Sequence, residues 1–309
     1  YCAADNIIHM NDVIRRTIKA GMNPVTAIQM ATINAATWQE LKDIGVLAPG
    51  KLADIAVIEG ELEDMNVSHV FLKGRLVAEN RELLINLPRY TYPDFVKHSV
   101  KLQPIKPENL HVPYHTASAV KVRCVGLIEN QADHTLAVEA ETFAQGGYVR
   151  PSVEKDILPI AVVGRHGQPD LGTSFVRGFA MKKGAFAETV AHDAHNIIVI
   201  GTNYEDMAIA VNRLIELQGG LVLAKEGKVI GELPLRVAGL ITDELSGIEL
   251  AEQMNKLTKL AETELECKVH APFMHLGFLS LSTGPKWRIT DKGLLDVINC
   301  RIIPTVIES

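Results

Sequence analysis

Cysteine is scarce and scattered. Cys2, Cys124, Cys267 and Cys300 lie far apart, and no two form a C-x-x-C pair. That spacing excludes a disulfide framework and a zinc ribbon, and it suits a reducing, cytoplasmic setting. Aromatic residues make up only 5% of the 309 residues, so the core must be built from Val, Ile, Leu and Ala. Positive charge is not in excess: 31 Lys and Arg stand against 37 Asp and Glu, a net charge of −6. With no dense basic cluster, the chain lacks the electrostatic footprint of a nucleic-acid binder. No run approaches the roughly 20 apolar residues that span a bilayer, so no membrane partner is expected. A length of 309 residues exceeds the ~250–300 at which a single core stops growing, which predicts two or more domains.

Residues 11–41 read as two helices. Asn11 or Asp12 is placed to cap the first, Val13, Ile14, Thr17 and Ile18 form its apolar stripe, and Gly21 stops it. Asn23-Pro24 then supplies an N-cap followed by Pro at the first helical position. From Gly45 the period changes, and a small antiparallel β unit follows through Ile58, Val67–Leu72 and Arg75–Ala78. Pro88, Pro93, Pro104, Pro107 and Pro113 mark an extended connection, with a domain boundary near residue 110.

Beyond it the pattern is α plus β. Strands are predicted at 119–129, 135–141, 158–163, 174–181, 197–200 and 221–224. Another is predicted at 229–233, after a Glu226-Gly227 hairpin turn. Helices are predicted at 204–218 and 246–266 from their apolar faces.

The densest titratable cluster is Ala191-His192-Asp193-Ala194-His195-Asn196, directly before the apolar run Ile197–Ile200. Imidazole exchanges protons near neutral pH, and a carboxylate can orient it or accept its proton. In an extended chain His192 and His195 would point to opposite faces; in a turn they would converge. The cluster reads either as a site of chemistry or as a capped turn whose side chains satisfy loop backbone. Arg165-His166-Gly167 is a second polar cluster and reads more simply as a solvated turn. Lys182-Lys183-Gly184 lacks the spacing of a phosphate loop. Asp5 precedes the first helix, where barrel enzymes place metal ligands and ordinary helices place caps. The other histidines, His69 and His275 among them, show no ligand spacing.

Two sets of motifs resemble a known family. Asp12–Pro24 with Ala27–Ala36 is similar to the last barrel helices of an amidohydrolase, and Gly45–Ile58, with Pro49-Gly50-Lys51 and Ala53-Asp54, to that superfamily's return into a small β-sandwich. Gly184–Ala187, Val190–Asn196, Gly201-Thr202-Asn203, Ala208–Leu217, Gly219–Val222 and Leu233-Pro234 resemble the C-terminal domain of microbial adenine deaminases.

The resemblance implies an α/β and α+β chain in three parts: residues 1–43 as the last helices of a (β/α)8 barrel, 44–110 as the β-sandwich return and linker, and 111–309 as the C-terminal α/β domain. It implies hydrolysis of adenine to hypoxanthine and ammonia with a divalent metal, manganese or iron. Asp5 is the candidate metal ligand. The barrel's His-x-His pair and its further Glu and His ligands are missing. The chain begins Tyr1-Cys2 without Met; it is therefore expected to be the later part of a longer enzyme, partnered by the N-terminal barrel portion and forming a homo-oligomer. His192, Asp193 and His195 are the residues expected to serve catalysis. The alternative is a non-catalytic module that binds a small molecule or builds an oligomer.

Overall fold

The computed structural model describes residues 9–128, 131–167 and 170–308. Contacts divide the chain into two units, one ending at Thr91 and the other beginning at Tyr92. That division falls earlier than the boundary read near residue 110, because Val100 and Leu110 are buried in the later unit's core.

The first unit opens with α1 (Met10–Lys19), α2 (Pro24–Gln29), a π-helical turn over Met30–Asn34, and α3 (Ala35–Trp38). Asn23 caps α2 as the sequence predicts, its Oδ1 accepting from Val25 N at 3.0 Å and Thr26 N at 3.2 Å. The cap expected from Asn11 or Asp12 is not formed. His9 holds the N-cap position with no side-chain bond, and the Asp12 carboxylate instead pairs with Arg15 one turn along α1. Strands β1 (Ile55–Glu59), β2 (Asn66–Leu72), β3 (Arg75–Glu79) and β4 (Glu82–Leu83) form an antiparallel meander. Ile14, Ile18, Ala27 and Met65 make this unit's small core.

The second unit begins with α4 (Asp94–Lys97), followed by β5 (Ser118–Ile128), β6 (Gln131–Gln145), β7 (Tyr148–Val149), β8 (Leu158–Val163), β9 (Leu171–Arg177), β10 (Ala185–Glu188) and β11 (Ile197–Gly201). Next come α5 (Tyr204–Leu217), β12 (Gly220–Lys225), β13 (Lys228–Pro234), α6 (Gly247–Thr263) and α7 (Pro272–Phe278). The chain closes with β14 (Trp287–Thr290), β15 (Gly293–Asp296), β16 (Arg301–Ile303) and β17 (Val306–Ile307). Among the described residues, the main sheet runs β13-β12-β10-β11-β8-β9-β5-β6-β7, with β17 also on β5. Its pairs are antiparallel except β5 with β9.

Apolar runs such as Leu158–Val163 and Ile197–Ile200 have no polar positions because the sheet is covered on both faces. Successive side chains of a strand point to opposite sides. Leu158, Ile160, Val162, Phe186, Ile198, Ile200, Leu221 and Leu223 pack on one face with Leu257 and Ala261 of α6 and Phe273 and Leu276 of α7. Ala161, Val163, Ala185, Ala187, Ile197, Val199, Val222 and Ala224 pack on the other with Met207, Val211 and Leu214 of α5. The small residues of this second face let α5 lie close against the sheet.

The strand predicted at 174–181 is displaced. It starts at Leu171 and ends at Arg177, where Gly178 takes φ +112° and its N–H, with that of Ala180, is captured by the Asp156 carboxylate. The Glu226-Gly227 turn forms as expected, with φ of 53° and 80°. Asn203 caps α5, accepting from Asp206 N at 2.7 Å, and buried Asp206 accepts from the turn's own Glu226 and Gly227 amides.

Phe186 is fully buried and meets Phe179 and Phe273 edge-on, with ring centroids 5.8 and 5.2 Å away. Phe186→Ala is expected to destabilise this unit by about 3–5 kcal/mol, read as a lower urea midpoint at unchanged slope. Phe143→Ala, at a position 48% exposed, should change stability by less than about 0.5 kcal/mol.

Candidate functional site

Strand register builds the site. Ile197 of β11 pairs with Val163 of β8, so the residues just before β11 lie opposite those just after β8. The first set is His192–Asn196 and the second begins at Arg165. Both clusters that stood out in the sequence therefore meet at one end of the sheet, where β10 also ends, in buried Glu188.

The His192–Ala194 segment is a turn, and His195 follows in the left-handed region with φ 51°. The turn closes through His195 N–H donating to Ala191 O at 2.7 Å. It brings the two imidazoles together, with ring centroids 5.9 Å apart at 65°. Helix α7 braces the other side. His192 N–H donates to Gly277 O at 3.1 Å, Ser280 Oγ donates to His192 O at 2.8 Å, and the Phe278 ring lies 4.6 Å from the His192 ring. Asp193 and Ala194 face solvent, while His192 and His195 are half-buried.

Arg165 belongs to this construction, so its reading as a solvated turn is corrected: it is 2% exposed. Its guanidinium donates to His195 O, to Ser99 Oγ at 2.7 Å and to Ala238 O at 2.8 Å. Its backbone N–H donates to Asn196 Oδ1 at 3.3 Å. Among the described residues no carboxylate pairs with it. Burial without a counter-ion pulls its pKa down to about 10. His166, whose Nε2–H donates to Ala194 O at 3.0 Å, stays on the surface with Gly167.

Arg288 of β14 repeats the arrangement behind α7. It is fully buried and donates to Phe278 O at 2.9 Å and to Asp133 O. Burial brings its pKa to about 10 as well. Two buried guanidinium groups thus grip backbone carbonyls, one within the histidine turn and one in the helix that braces it. Neither Arg288 nor Glu188 carried a local motif by which the sequence could have announced it. Their position is set by pairings between strands distant in the chain.

His195 has its pKa lowered, first by burial, then by His192 and by the Arg165 cation, with Asp193 opposing. His111, stacked on Tyr148 at 3.7 Å, is lowered chiefly by burial. Among the described residues no group of three His, Cys, Asp or Glu side chains could hold a metal ion. Asp5 lies outside the described residues. The site is thus a pair of imidazoles with a neighbouring carboxylate, suited to hydrogen bonding and proton exchange, and its donor set does not fit a divalent-metal centre.

Comparison with known proteins matches the chain first to a broad class, the amidohydrolases, and then to a particular family. Residues 2–77 match the amidohydrolase family, and residues 133–301 match the adenine deaminase C-terminal domain. The chain belongs to the adenine deaminase C-terminal domain family. It is 54% identical over 96% of its length to adenine deaminase 1 of Carboxydothermus hydrogenoformans, covering 49% of that protein. It is 40% identical over its whole length to the adenine deaminase of Desulforamulus reducens, covering 53% of it, and 39% identical over 96% to that of Moorella thermoacetica, covering 50%. The chain thus spans about half the length of the curated relatives it matches.

Both lowered imidazoles give stability a pH dependence of definite sign. Below the ordinary value of 6.5 the unfolded chain takes up protons that folded His111 and His195 do not, so unfolding becomes easier as pH falls. The urea midpoint should therefore drop between pH 6.5 and the lower folded values, before carboxylates protonate. The drop should be smaller in His195→Asn; an equal drop in that variant would mean His195 contributes nothing to it.

Proposed function

We propose that this chain is the C-terminal half of a metal-dependent adenine deaminase, which hydrolyses adenine with water to hypoxanthine and ammonia. The observation that carries the reading is the order of the two family matches in one chain, amidohydrolase over residues 2–77 and adenine deaminase C-terminal domain over 133–301. The relatives that align along nearly the whole chain are named adenine deaminases, which supports adenine as the substrate. In this reading residues 1–43 end the barrel, 44–110 contain the β-sandwich return, and 111–309 are the domain particular to these enzymes. The enzyme is a cytoplasmic homo-oligomer. Among the described residues no helix is long and apolar enough to cross a membrane.

The metal of this reaction, manganese or iron, is assigned to residues other than those described, since the described ones supply no ligand cluster; Asp5 is retained as a candidate ligand. The His192–His195 turn is assigned to the substrate. Asp193 is exposed and His192 half-buried, so both are within reach of solvent and able to take up and return a proton. Removing a general acid–base group lowers rate by about 10²–10⁴-fold.

Full-length enzyme containing this chain should release ammonia from adenine and lose that activity to a chelator. His192→Ala and Asp193→Asn should each lower kcat/KM by about 10²-fold with folding intact. Unchanged turnover and substrate affinity in both variants would leave the later domain a non-catalytic binding or oligomerisation module.

A further inference from the structure

A neutral imidazole has one donor nitrogen and one acceptor nitrogen, and the imidazolium has two donors. Which form a histidine adopts is set by what its two nitrogens meet. His195 has its backbone fixed on both sides, by its N–H to Ala191 O and by Arg165 Nε to its carbonyl. In that pose its Nδ1 is buried and has no hydrogen-bond partner among the described residues. Nε2 also has no partner there, yet it is not closed off from solvent.

Nδ1 goes unpaired in either tautomer, at about 1–3 kcal/mol for a neutral group and more for a charged one, so the charges around the ring decide which form it takes. Arg165 and His166 approach from the loop after β8, His192 from its own turn, and Asp193 alone favours the cation. With the Arg165 cation acting on the ring, a bare Nδ1 lone pair is the arrangement that sets no further N–H in its field.

We infer that His195 is a neutral hydrogen-bond donor, held as its Nε2–H tautomer, and that it offers this N–H to a ring nitrogen of the purine; the second half rests on the adenine deaminase reading. Proton exchange is left to His192 and Asp193. Arg165 acts as the positioning residue, because its bond to His195 O fixes the turn that buries Nδ1. An adenine ring nitrogen carries an in-plane lone pair and suits a neutral N–H donor. No bond to carbon is made or broken at His195, and no proton leaves it during the reaction.

The test uses full-length enzyme labelled with 15N-histidine, with the His195 signals assigned by their loss in His195→Gln. One protonated nitrogen, Nε2, is expected at neutral pH, with titration only below 6.5. A proton on Nδ1, or on both nitrogens at neutral pH, overturns the inference whatever the activity shows. In the assay, His195→Ala should lower kcat/KM by about tenfold, the loss of one neutral hydrogen bond. His195→Gln should recover most of that loss, because its amide N–H remains a donor, and should keep the native pH profile. A loss of about 10²–10⁴-fold in both variants, with one limb of the pH profile gone, would make His195 a proton carrier and overturn the donor role. Unchanged kcat/KM in both variants with Nε2–H observed overturns the substrate-facing role of the turn and leaves only the tautomer.

Discussion

Arg165 is the interaction on which the site depends. A guanidinium out of water and without a carboxylate is unfavourable unless its N–H groups find acceptors. Arg165 finds them in His195 O, Ser99 Oγ and Ala238 O, which come from three separate stretches of chain. The same charge that needs those oxygens therefore ties the segment before β5, the turn before β11 and the loop after β13 into one edge of the sheet. The packing leaves it little slack. Gly239 takes φ +72°, and a Cβ built there would lie 3.0 Å from Arg165 Nη1. Gly239 Cα in turn lies 2.4 Å from where a Cβ on Gly219 would be. The fork geometry of arginine reaches three acceptors in different directions; a lysine ammonium on a flexible stem has no such planar reach.

The sheet decides where that edge is. Both faces of the central strands are covered, so their order and register are fixed by side chains that alternate between two different layers. A slip of one residue would exchange Leu and Phe positions with Ala and Val positions and fit neither layer. Register fixed in this way carries over to the loops. Because Ile197 must pair with Val163, His195 and Arg165 are delivered to each other without any local signal between them.

What the sequence disclosed follows from the range of the interactions involved. The runs 158–163, 197–200 and 221–224, the amphipathic α5 and α6, the Asn23-Pro24 start and the Glu226-Gly227 turn are local patterns, and the structure forms them there. The short β10 and the closing sheet of β14, β15 and β16 are stabilised by neighbours far along the chain, and their own residues gave no sufficient period. The misplaced end of the strand at 174–181 has the same origin: Asp156, from a distant loop, captures the Gly178 and Ala180 amides and stops the strand three residues after Ser174. In the site, His192, Asp193 and His195 were legible because histidine is conspicuous. Arg165 was legible as a residue but not as a buried one, since its acceptors are backbone oxygens that leave no mark in composition.

The two buried arginines also explain how a polar turn is held in one conformation. Arg165 fixes the carbonyl of His195 from the β8 side, and Arg288 fixes the carbonyl of Phe278, whose ring lies against His192. The turn is thus held between a cation clamp within it and a second clamp in the helix that braces it, and His195 Nδ1 is buried there without a partner. Desolvation and a neighbouring positive charge then act in the same direction on His195, while Asp193, exposed to water, is the weaker opposing influence. Two histidines three residues apart thus meet different surroundings: His195 has its Nδ1 buried and its pKa lowered, and the His192 ring lies tilted against Phe278. That difference arises from burial and backbone geometry, set by strand register, and needs no additional titratable residue.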